Sequence, residues 1–236
     1  MDTASPVAAN PRLPEREAGE LAVLSLFDGV GTTALTVASV LRQQGAFHRC
    51  SRIWAVEVQD HLREAVSRWW RTQRRLCGGP LVEPLAADAW DLLRGRGAAL
   101  APLLRELPPG SLLLIVAGSP CQQLSPFSQG RGAVGLCGPD SCLFFLVPIL
   151  RRLITTWRPD VTVHAVVENA GEMHQRFRDA ILRCLGLNGR LDHAPVVNSR
   201  SWSRFNRCRT FFSTLPPAPR ADAAGVARRR DPWDEG

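Results

Sequence analysis

The chain lacks the sequence patterns of several large protein classes. Its seven cysteines, at positions 50, 77, 121, 137, 142, 184 and 208, include no paired CxxC spacing. A structural zinc site and a secreted disulfide framework are therefore both disfavoured. Cys137 and Cys142 have four residues between them, but no second pair with metal-ligand spacing follows.

The sequence also has no apolar run of about 20 residues, the length that spans a bilayer. Its first 20 residues contain acidic residues and prolines where a secretory signal has a basic start and an apolar run. No internal repeat is visible. These absences predict an intracellular protein without a membrane partner, nuclear if its source is eukaryotic.

The length of 236 residues, 45% of them hydrophobic, suits one sizeable α/β domain. We expect a disordered leader over residues 1–19, a folded domain over 20–216 and a disordered tail over 217–236. The 29 basic and 22 acidic side chains give a formal net charge of +7. This charge favours a polyanionic partner, although charges of this size also serve solubility alone.

Apolar runs at regular intervals predict a mostly parallel, doubly wound sheet. Runs bounded by turn residues predict strands over 21–27, 53–58, 82–88, 112–116 and 161–167. A later segment, 204–212, alternates basic and apolar residues and predicts a strand with Arg207 and Arg209 on one side. In such a sheet, ligands bind at the carboxyl ends of the strands.

Cys121 follows the predicted strand 112–116 closely and is a candidate nucleophile. Pro120 fixes its own backbone angle and biases Ser119 towards an extended conformation, so a stiff turn would present the thiol. The alternative interpretation is a buried, inert cysteine. The glycine-rich segment 126–140 that follows predicts a mobile lid.

The segment 28–33 connects the first strand to a helix with Leu35, Ala38 and Leu41 on one face. Gly29 and Gly31 let the backbone approach a ligand closely, and the free amides of the helix start favour a polar or anionic group. The third glycine of the dinucleotide motif is missing, which indicates a general nucleotide-type pocket.

Two acidic residues follow the next two strands. Glu57 stands where a carboxylate holds ribose hydroxyls, and its alternative is a capping or solvent-facing role. Asp88 reaches the same edge as a candidate for an exocyclic amine or as the cap of the helix near Ala89, and both roles are compatible.

The helices carry apolar stripes and a basic face. Over 60–76 the pattern predicts that Leu62, Val66, Trp69 and Leu76 are buried. The opposite face, which holds Arg63, Arg71, Arg74 and Arg75, is either functional or only solvated. The helix after Ser141 is expected to kink near Pro148.

Glu168 and Asn169 are expected at the carboxyl end of strand 161–167, as Cys121 is at the end of its neighbour. His164 lies within that strand and is interpreted as a core histidine. Arg207 and Arg209 present two forked cations that suit phosphate or carboxylate.

Taken together, these motifs resemble the DNA cytosine carbon-5 methyltransferases in order and spacing. The resemblance covers roughly residues 21 to 216. The motifs are Phe27-Asp-Gly-Val-Gly31, Glu57, Asp88, Gly118-Ser-Pro-Cys121, Glu168-Asn169 and Arg207-Cys-Arg209. The serine of Gly-Ser-Pro-Cys, Leu143-Phe-Phe145 and the Phe-Phe and Leu-Pro after the arginines are most similar to the eukaryotic de novo branch.

The resemblance implies a Rossmann-like class I fold, an S-adenosylmethionine cofactor and a DNA substrate. Glu57 would bind the ribose of the cofactor and Asp88 its adenine amine. Cys121 would attack the base, Glu168 would hold it, and Arg209 and Arg207 would orient it or face the backbone. The implied cofactor-binding residues are Phe27, Asp28, Gly29, Gly31, Glu57, Val58, Asp88, Ala89, Ser119 and Pro120.

The sequence departs from this family after Pro216. The target-recognition region of the family and its final motif, which closes the cofactor pocket, have no counterpart. We therefore expect weak, salt-sensitive DNA binding with little sequence preference, and a homologous or different methyltransferase subunit that supplies recognition elements. The alternatives are a catalytically impaired regulatory or DNA-binding subunit and an RNA substrate.

Overall fold

A computed structural model describes residues 19–27, 29, 31–77, 80–124, 134–201 and 207–217. The predicted leader and tail lie almost entirely outside these ranges. The described residues form a seven-stranded sheet. The strands are β1 Leu21–Leu26, β2 Cys50–Val56, β3 Leu81–Ala86, β4 Leu112–Gly118, β5 Thr162–Ala170, β6 Val196–Asn198 and β7 Cys208–Ser213.

The strand order is β3-β2-β1-β4-β5-β7-β6. The first five strands in this order pair in parallel, and β7 pairs antiparallel with both β5 and β6. The order reverses between β1 and β4, and such a reversal opens a ligand crevice at the carboxyl ends of the strands. The predicted Rossmann-like, class I methyltransferase fold is confirmed.

Helices connect the strands and cover the sheet on both sides. The helices are α1 Thr32–Gln43, α2 Asp60–Cys77, α3 Ala101–Glu106, α4 Leu146–Trp157 and α5 Gln175–Cys184. One buried cluster joins Val23 and Ile53 of the sheet to Val66 of α2. The other and larger cluster joins the opposite sheet face, through residues such as Leu24, to α3, α4 and α5. The alternation of side chains along each strand separates the two clusters.

Of the four residues predicted to be buried in α2, Val66 is buried, Leu62 is half-buried and Trp69 is exposed. The side chain of the fourth, Leu76, lies outside the described part of the structure. Trp70 is 6% exposed, whereas Trp69 is 40% exposed. Trp70 lies one helical turn after the buried Val66, and both pack beneath Gly31 at the start of α1. Leu35, predicted to share one face of α1 with Ala38 and Leu41, is 44% exposed. The apolar spacing predicted each helix but not its rotation about its own axis against the sheet.

The structure also corrects the expected kink near Pro148. A 3₁₀ turn over Ser141–Phe145 leads directly into α4, which begins at Leu146. Pro148 therefore stands in the first turn of the helix, where its missing N–H removes no helical hydrogen bond.

Two kinds of feature are absent from the described residues. No helix in these ranges is long and apolar enough to cross a membrane. In the same part of the chain, no group of three or more His, Cys, Asp or Glu side chains could hold a metal ion.

Candidate active site

The turn that carries Cys121 begins directly after β4. Ser119 is 2% exposed, and Cys121 is half-buried with a free thiol. The amide of Leu124 donates to the carbonyl oxygen of Cys121 at 2.9 Å and closes the turn. The predicted stiff turn at the strand end is therefore present, and the thiol is not fully enclosed.

Asn169 ties this turn to the neighbouring strand. Its Nδ2 donates to Oγ of Ser119 at 2.9 Å, and its Oδ1 accepts from the amide of Ala170 at 2.8 Å. Both Asn169 and Ser119 are buried. A buried hydrogen bond between side chains fixes the two strand ends relative to each other, because breaking it leaves polar groups without partners.

Glu168 lies beside the Cys121 turn through the register of the sheet. Gly118 in β4 is the partner of Glu168 in β5. A Cβ built at Gly118 would lie 3.6 Å from Oε2 of Glu168, so the carboxylate passes close above this glycine. A larger residue at position 118 would contact the carboxylate.

Arg209 neutralises this carboxylate. Its Nε forms an ion pair with Oε1 of Glu168, and its Nη1 donates to the carbonyl of Cys208 at 2.8 Å. Both side chains are partly exposed, at 22% for Arg209 and 31% for Glu168. The Nε–H of Arg209 is not aligned as a hydrogen-bond donor, so the contact is a charge pair.

The structure corrects two predictions about β5 and β7. Glu168 and Asn169 lie within β5, because β7 pairs with residues 166–170 and extends the strand to Ala170. Arg207 is exposed and precedes β7, and its amide donates to Oγ of Ser199 at 3.1 Å. The structure thus pairs Arg209, and not Arg207, with Glu168.

His164, also in β5, has the structural role expected of it. Its Nδ1 lies 3.0 Å from the carbonyl oxygen of Thr214, just past β7. The ring therefore joins two parts of the fold and lies four residues from the candidate site.

The glycine turn after β1 is fastened by Glu57. The Oε2 atom of this residue accepts from the amide of Gly29 at 2.8 Å, and its Oε1 accepts from the amide of Gln59 at 3.0 Å. Phe27, with a positive φ of 59°, donates from its amide to the carbonyl of Val56 at 2.9 Å. The ends of β1 and β2 are thus joined at the edge where the crevice opens.

The two glycines of the turn serve different purposes. A Cβ built at Gly29 meets no described atom within 4 Å, so this backbone is open to an incoming group. A Cβ at Gly31 would lie 3.0 Å from Cγ1 of Val66, so this glycine lets α1 pack against α2. Both have positive φ, which other residues adopt at a cost. Asp28 lies outside the described residues.

Asp88 performs the capping role that was one of its two alternatives. Its Oδ1 accepts from the amide of Trp90 at 2.9 Å and begins a 3₁₀ turn over Ala89–Leu92. Its side chain is 42% exposed, and Oδ2 is 3.8 Å from Nη2 of Arg94. Ala89 is buried, whereas Val58 at the end of β2 is 68% exposed.

The segment predicted as a lid lies mostly outside the described residues, which resume at Val134. The described end of this segment packs against Gln123 in the Cys121 turn and against Phe177 in α5. A Cβ at Gly138 would overlap Oε1 of Gln123, and one at Gly135 would overlap the ring of Phe177. The sequence shows these glycines but not their partners, because the contacts are made across the fold.

The chain matches no protein-family model and no curated protein. It is similar in fold to solved structures of low identity. One is a SAM dependent methyltransferase from Aquifex aeolicus, with 10% identity, 83% of this chain and 84% of the other covered, and a TM-score of 0.38. A second is TrmN from Thermus thermophilus, with 18% identity, 83% and 43% covered, and a TM-score of 0.40.

A third solved structure is the magnesium protoporphyrin IX methyltransferase of Synechocystis with bound SAM. The identity is 11%, the alignment covers 84% of this chain and 71% of the other, and the TM-score is 0.38. At these identities and TM-scores, the comparisons assign no role to individual residues of this chain.

Proposed function

We propose that this chain transfers a methyl group from S-adenosylmethionine to carbon 5 of cytosine in DNA. The observation that carries the proposal is the position of a half-buried thiol in the turn directly after β4, whose last residue, Gly118, is the register partner of the arginine-paired Glu168 in β5. The hydrogen bond between Ser119 and Asn169 holds the turn of Cys121 to the strand of Glu168. This arrangement suits a nucleophile that attacks a base and a carboxylate that holds it.

The chemistry needs both groups. Carbon 5 of cytosine is too weak a nucleophile to accept a methyl group unaided, so the thiolate of Cys121 adds to carbon 6 and moves the electron pair of the carbon 5–carbon 6 double bond towards carbon 5. After the methyl group has bonded to carbon 5, a solvent base takes the proton from that carbon, and the electron pair of the broken C–H bond restores the double bond and expels the thiolate. The Sγ–carbon 6 bond thus forms and breaks within one cycle.

Glu168 positions the base in this scheme. Held by its ion pair with Arg209, Glu168 accepts a hydrogen bond from the exocyclic amine of cytosine in this scheme. Arg209 fixes the direction of the carboxylate and supplies positive charge near the ring. The exposed Arg207 is assigned to the DNA backbone.

The residues around the glycine turn fit S-adenosylmethionine. The open backbone at Gly29 admits a ligand, and the Glu57 carboxylate keeps lone pairs for ribose hydroxyls after accepting two amides. Asp88 offers Oδ2 to the adenine amine. The cofactor, when bound, supplies an electrophilic methyl group. We assign Phe27, Asp28, Gly31, Val58, Ala89, Ser119 and Pro120 to the same pocket.

The target base has to leave the duplex, because its reacting atoms lie within the base stack. The basic net charge of the chain supports binding to the phosphate backbone.

Covalent trapping tests this proposal. Duplex DNA that contains 5-fluorocytosine is incubated with S-adenosylmethionine, and the adduct is measured on a denaturing gel. The fluorine cannot leave as a proton does, so the adduct accumulates. Cys121→Ser is expected to abolish it, and Cys184→Ser, which removes an exposed thiol, is expected to retain it.

Other outcomes would redirect the assignment. An adduct in the Cys121→Ser variant would remove Cys121 from the mechanism. An adduct with fluorinated RNA alone would identify RNA as the substrate, and DNA binding without any adduct would favour the regulatory subunit.

A further inference from the structure

The exposed side of α2 carries an arginine stripe that the proposed reaction does not use. We define the stripe as Arg68, Arg71 and Arg75, which are three and four residues apart and so lie on one side of the helix. All three are exposed. We infer that the stripe binds the phosphodiester backbone of a nucleic acid away from Cys121.

The charges of the stripe are available to a partner. Nε of Arg71 donates to the carbonyl of Ser67 and Nε of Arg75 to that of Arg71, so backbone contacts orient both side chains. Within the described part of the chain, their terminal nitrogens make no hydrogen bond or ion pair. The described acid nearest to the stripe is Glu64, 3.7 Å from Arg68, and both members of this pair are over 70% exposed. Such a pair is weak and exchanges easily for another anion.

Arg63 shows the contrast with a structural arginine on the same helix. Its guanidinium donates to the carbonyls of Glu57 and Val58 and forms an ion pair with Asp60. These contacts hold Arg63 against the residues just after β2, whereas the stripe faces solvent. Of the basic face predicted from the sequence, Arg63 is structural, whereas Arg71, Arg74 and Arg75 are exposed.

The shape beside the stripe suits an extended anion. A shallow groove lies between α2 and the edge strand β3. It is lined by three arginines and one acid, together with a serine and a proline: Arg63, Arg68, Arg71, Glu64, Ser67 and Pro84. The stripe is about 10 Å long at 1.5 Å per residue. That length spans roughly three phosphates of one strand, and arginine forks match phosphate oxygens.

The stripe lies away from Cys121 and on the side of the glycine turn, because Ser67 and Pro84 line both this groove and a second pocket that includes Gly29 and Glu57. In the sheet order, β2 and β1 separate β3 from β4, so the groove is displaced laterally from the strand of Cys121 by roughly 15 Å. The inference depends on the charge and shape of α2 and not on the identity of the methyl acceptor.

Salt-dependent binding tests the inference. Anisotropy of a labelled DNA duplex is measured with the chain in the Cys121→Ser form, without S-adenosylmethionine, between about 50 and 200 mM salt. In that background the stripe is changed to Arg68→Gln, Arg71→Gln and Arg75→Gln, because glutamine and arginine have similar helix propensity. The slope of log affinity against log salt is expected to fall by about 2 to 3.

A matched control removes the same charge elsewhere. The control variant changes three exposed arginines outside α2: Arg105→Gln, Arg183→Gln and Arg190→Gln. It is expected to keep most of the slope of log affinity against log salt. Equal losses in the two triple variants, or no loss in the stripe variant, would overturn the inference. Lysine in place of the three stripe arginines is expected to restore the slope, and a lysine variant that behaves like the glutamine variant would also overturn it.

Competition identifies the partner. Unlabelled DNA and RNA duplexes share the phosphodiester backbone and are expected to displace the probe, whereas polyglutamate is expected to compete poorly. Polyglutamate that competes as well as DNA would indicate an acidic protein surface instead. Because no methyl transfer is measured, the result is independent of the outcome of covalent trapping.

Discussion

At the scale of single residues, the hydrogen bond between Ser119 and Asn169 is the contact that most directly orients the candidate nucleophile. Asn169→Ala removes the partner of Ser119 Oγ and of the Ala170 amide, all buried. The free energy of unfolding is expected to fall by about 1–3 kcal/mol, the cost of unpaired buried groups. Urea denaturation measures it.

The same pair is suited to a double-mutant cycle. Ser119→Ala and Asn169→Ala each break the one bond, so the double variant is expected to be more stable than the sum of the two losses predicts, by about 0.5 kcal/mol or more. Strict additivity would show that the two side chains do not stabilise each other.

Glu57, just after β2, and Glu168, in β5, are carboxylates at the same edge of the sheet, with β1 and β4 between their strands. We assign Glu57 to the cofactor and Glu168 to the base. Glu57→Ala removes the acceptor of two backbone amides and is expected to weaken S-adenosylmethionine binding by about 1–3 kcal/mol. Glu168→Ala, which breaks the ion pair with Arg209, is expected to spare that affinity. Calorimetric titration of both variants checks this, and equal losses would contradict the assignment.

At the scale of elements, the junction between β5 and β7 depends on Gly171. Its amide donates to the carbonyl of Cys208 at 3.0 Å, and a Cβ built on it would lie 2.6 Å from the carbonyl carbon of Cys208 and 2.8 Å from the amide of Arg209. The backbones of the two strands therefore approach too closely for any side chain here.

Gly171→Ala is expected to push β7 away from β5 and to move Arg209 off Glu168. Unfolding free energy should fall by about 1–3 kcal/mol, the usual cost of overpacking, and the yield of trapped DNA adduct should fall with it. Gly45→Ala is the control, since a Cβ there meets no described atom within 4 Å although φ is +66°. It is expected to reduce stability but not the adduct yield per folded molecule.

At the scale of the whole molecule, the composition makes alkaline stability unusually simple to interpret. The sequence contains no tyrosine and no lysine, so its 29 basic residues are all arginine. The cysteines are then the side chains that titrate between about pH 8 and 11. Cys50, at the start of β2, is 3% exposed, and burial raises the pKa of its thiol from 9.0 to about 11.

This pKa difference predicts a loss of stability in alkali. Below pH 9 the Cys50 thiol is neutral in both states, whereas between pH 9 and 11 it ionises in the unfolded chain and stays protonated in the fold. Stability is therefore lost as pH rises through this window, by up to about 2–3 kcal/mol. Urea denaturation from pH 8 to 11 should show a flatter dependence for Cys50→Ala than for Cys184→Ala, and identical slopes would contradict the prediction.

The sequence determined the fold class and the edge of the sheet at which the polar residues gather. Apolar runs such as 21–27 and 112–116 identify buried strands locally, and parallel strands bring the residues after their ends together. The sequence alone therefore predicts that Cys121, Glu57 and Asp88 lie at this edge.

Only the tertiary structure decided which of these side chains touch. The pairing of Arg209 with Glu168, the bond between Asn169 and Ser119 and the burial of Trp70 in place of Trp69 depend on strand register and helix rotation. A period of two or 3.6 residues fixes the faces of an element, but neither fixes its register or its rotation against a neighbour. Partners some 40 or 50 residues apart are selected by the packing of the whole sheet.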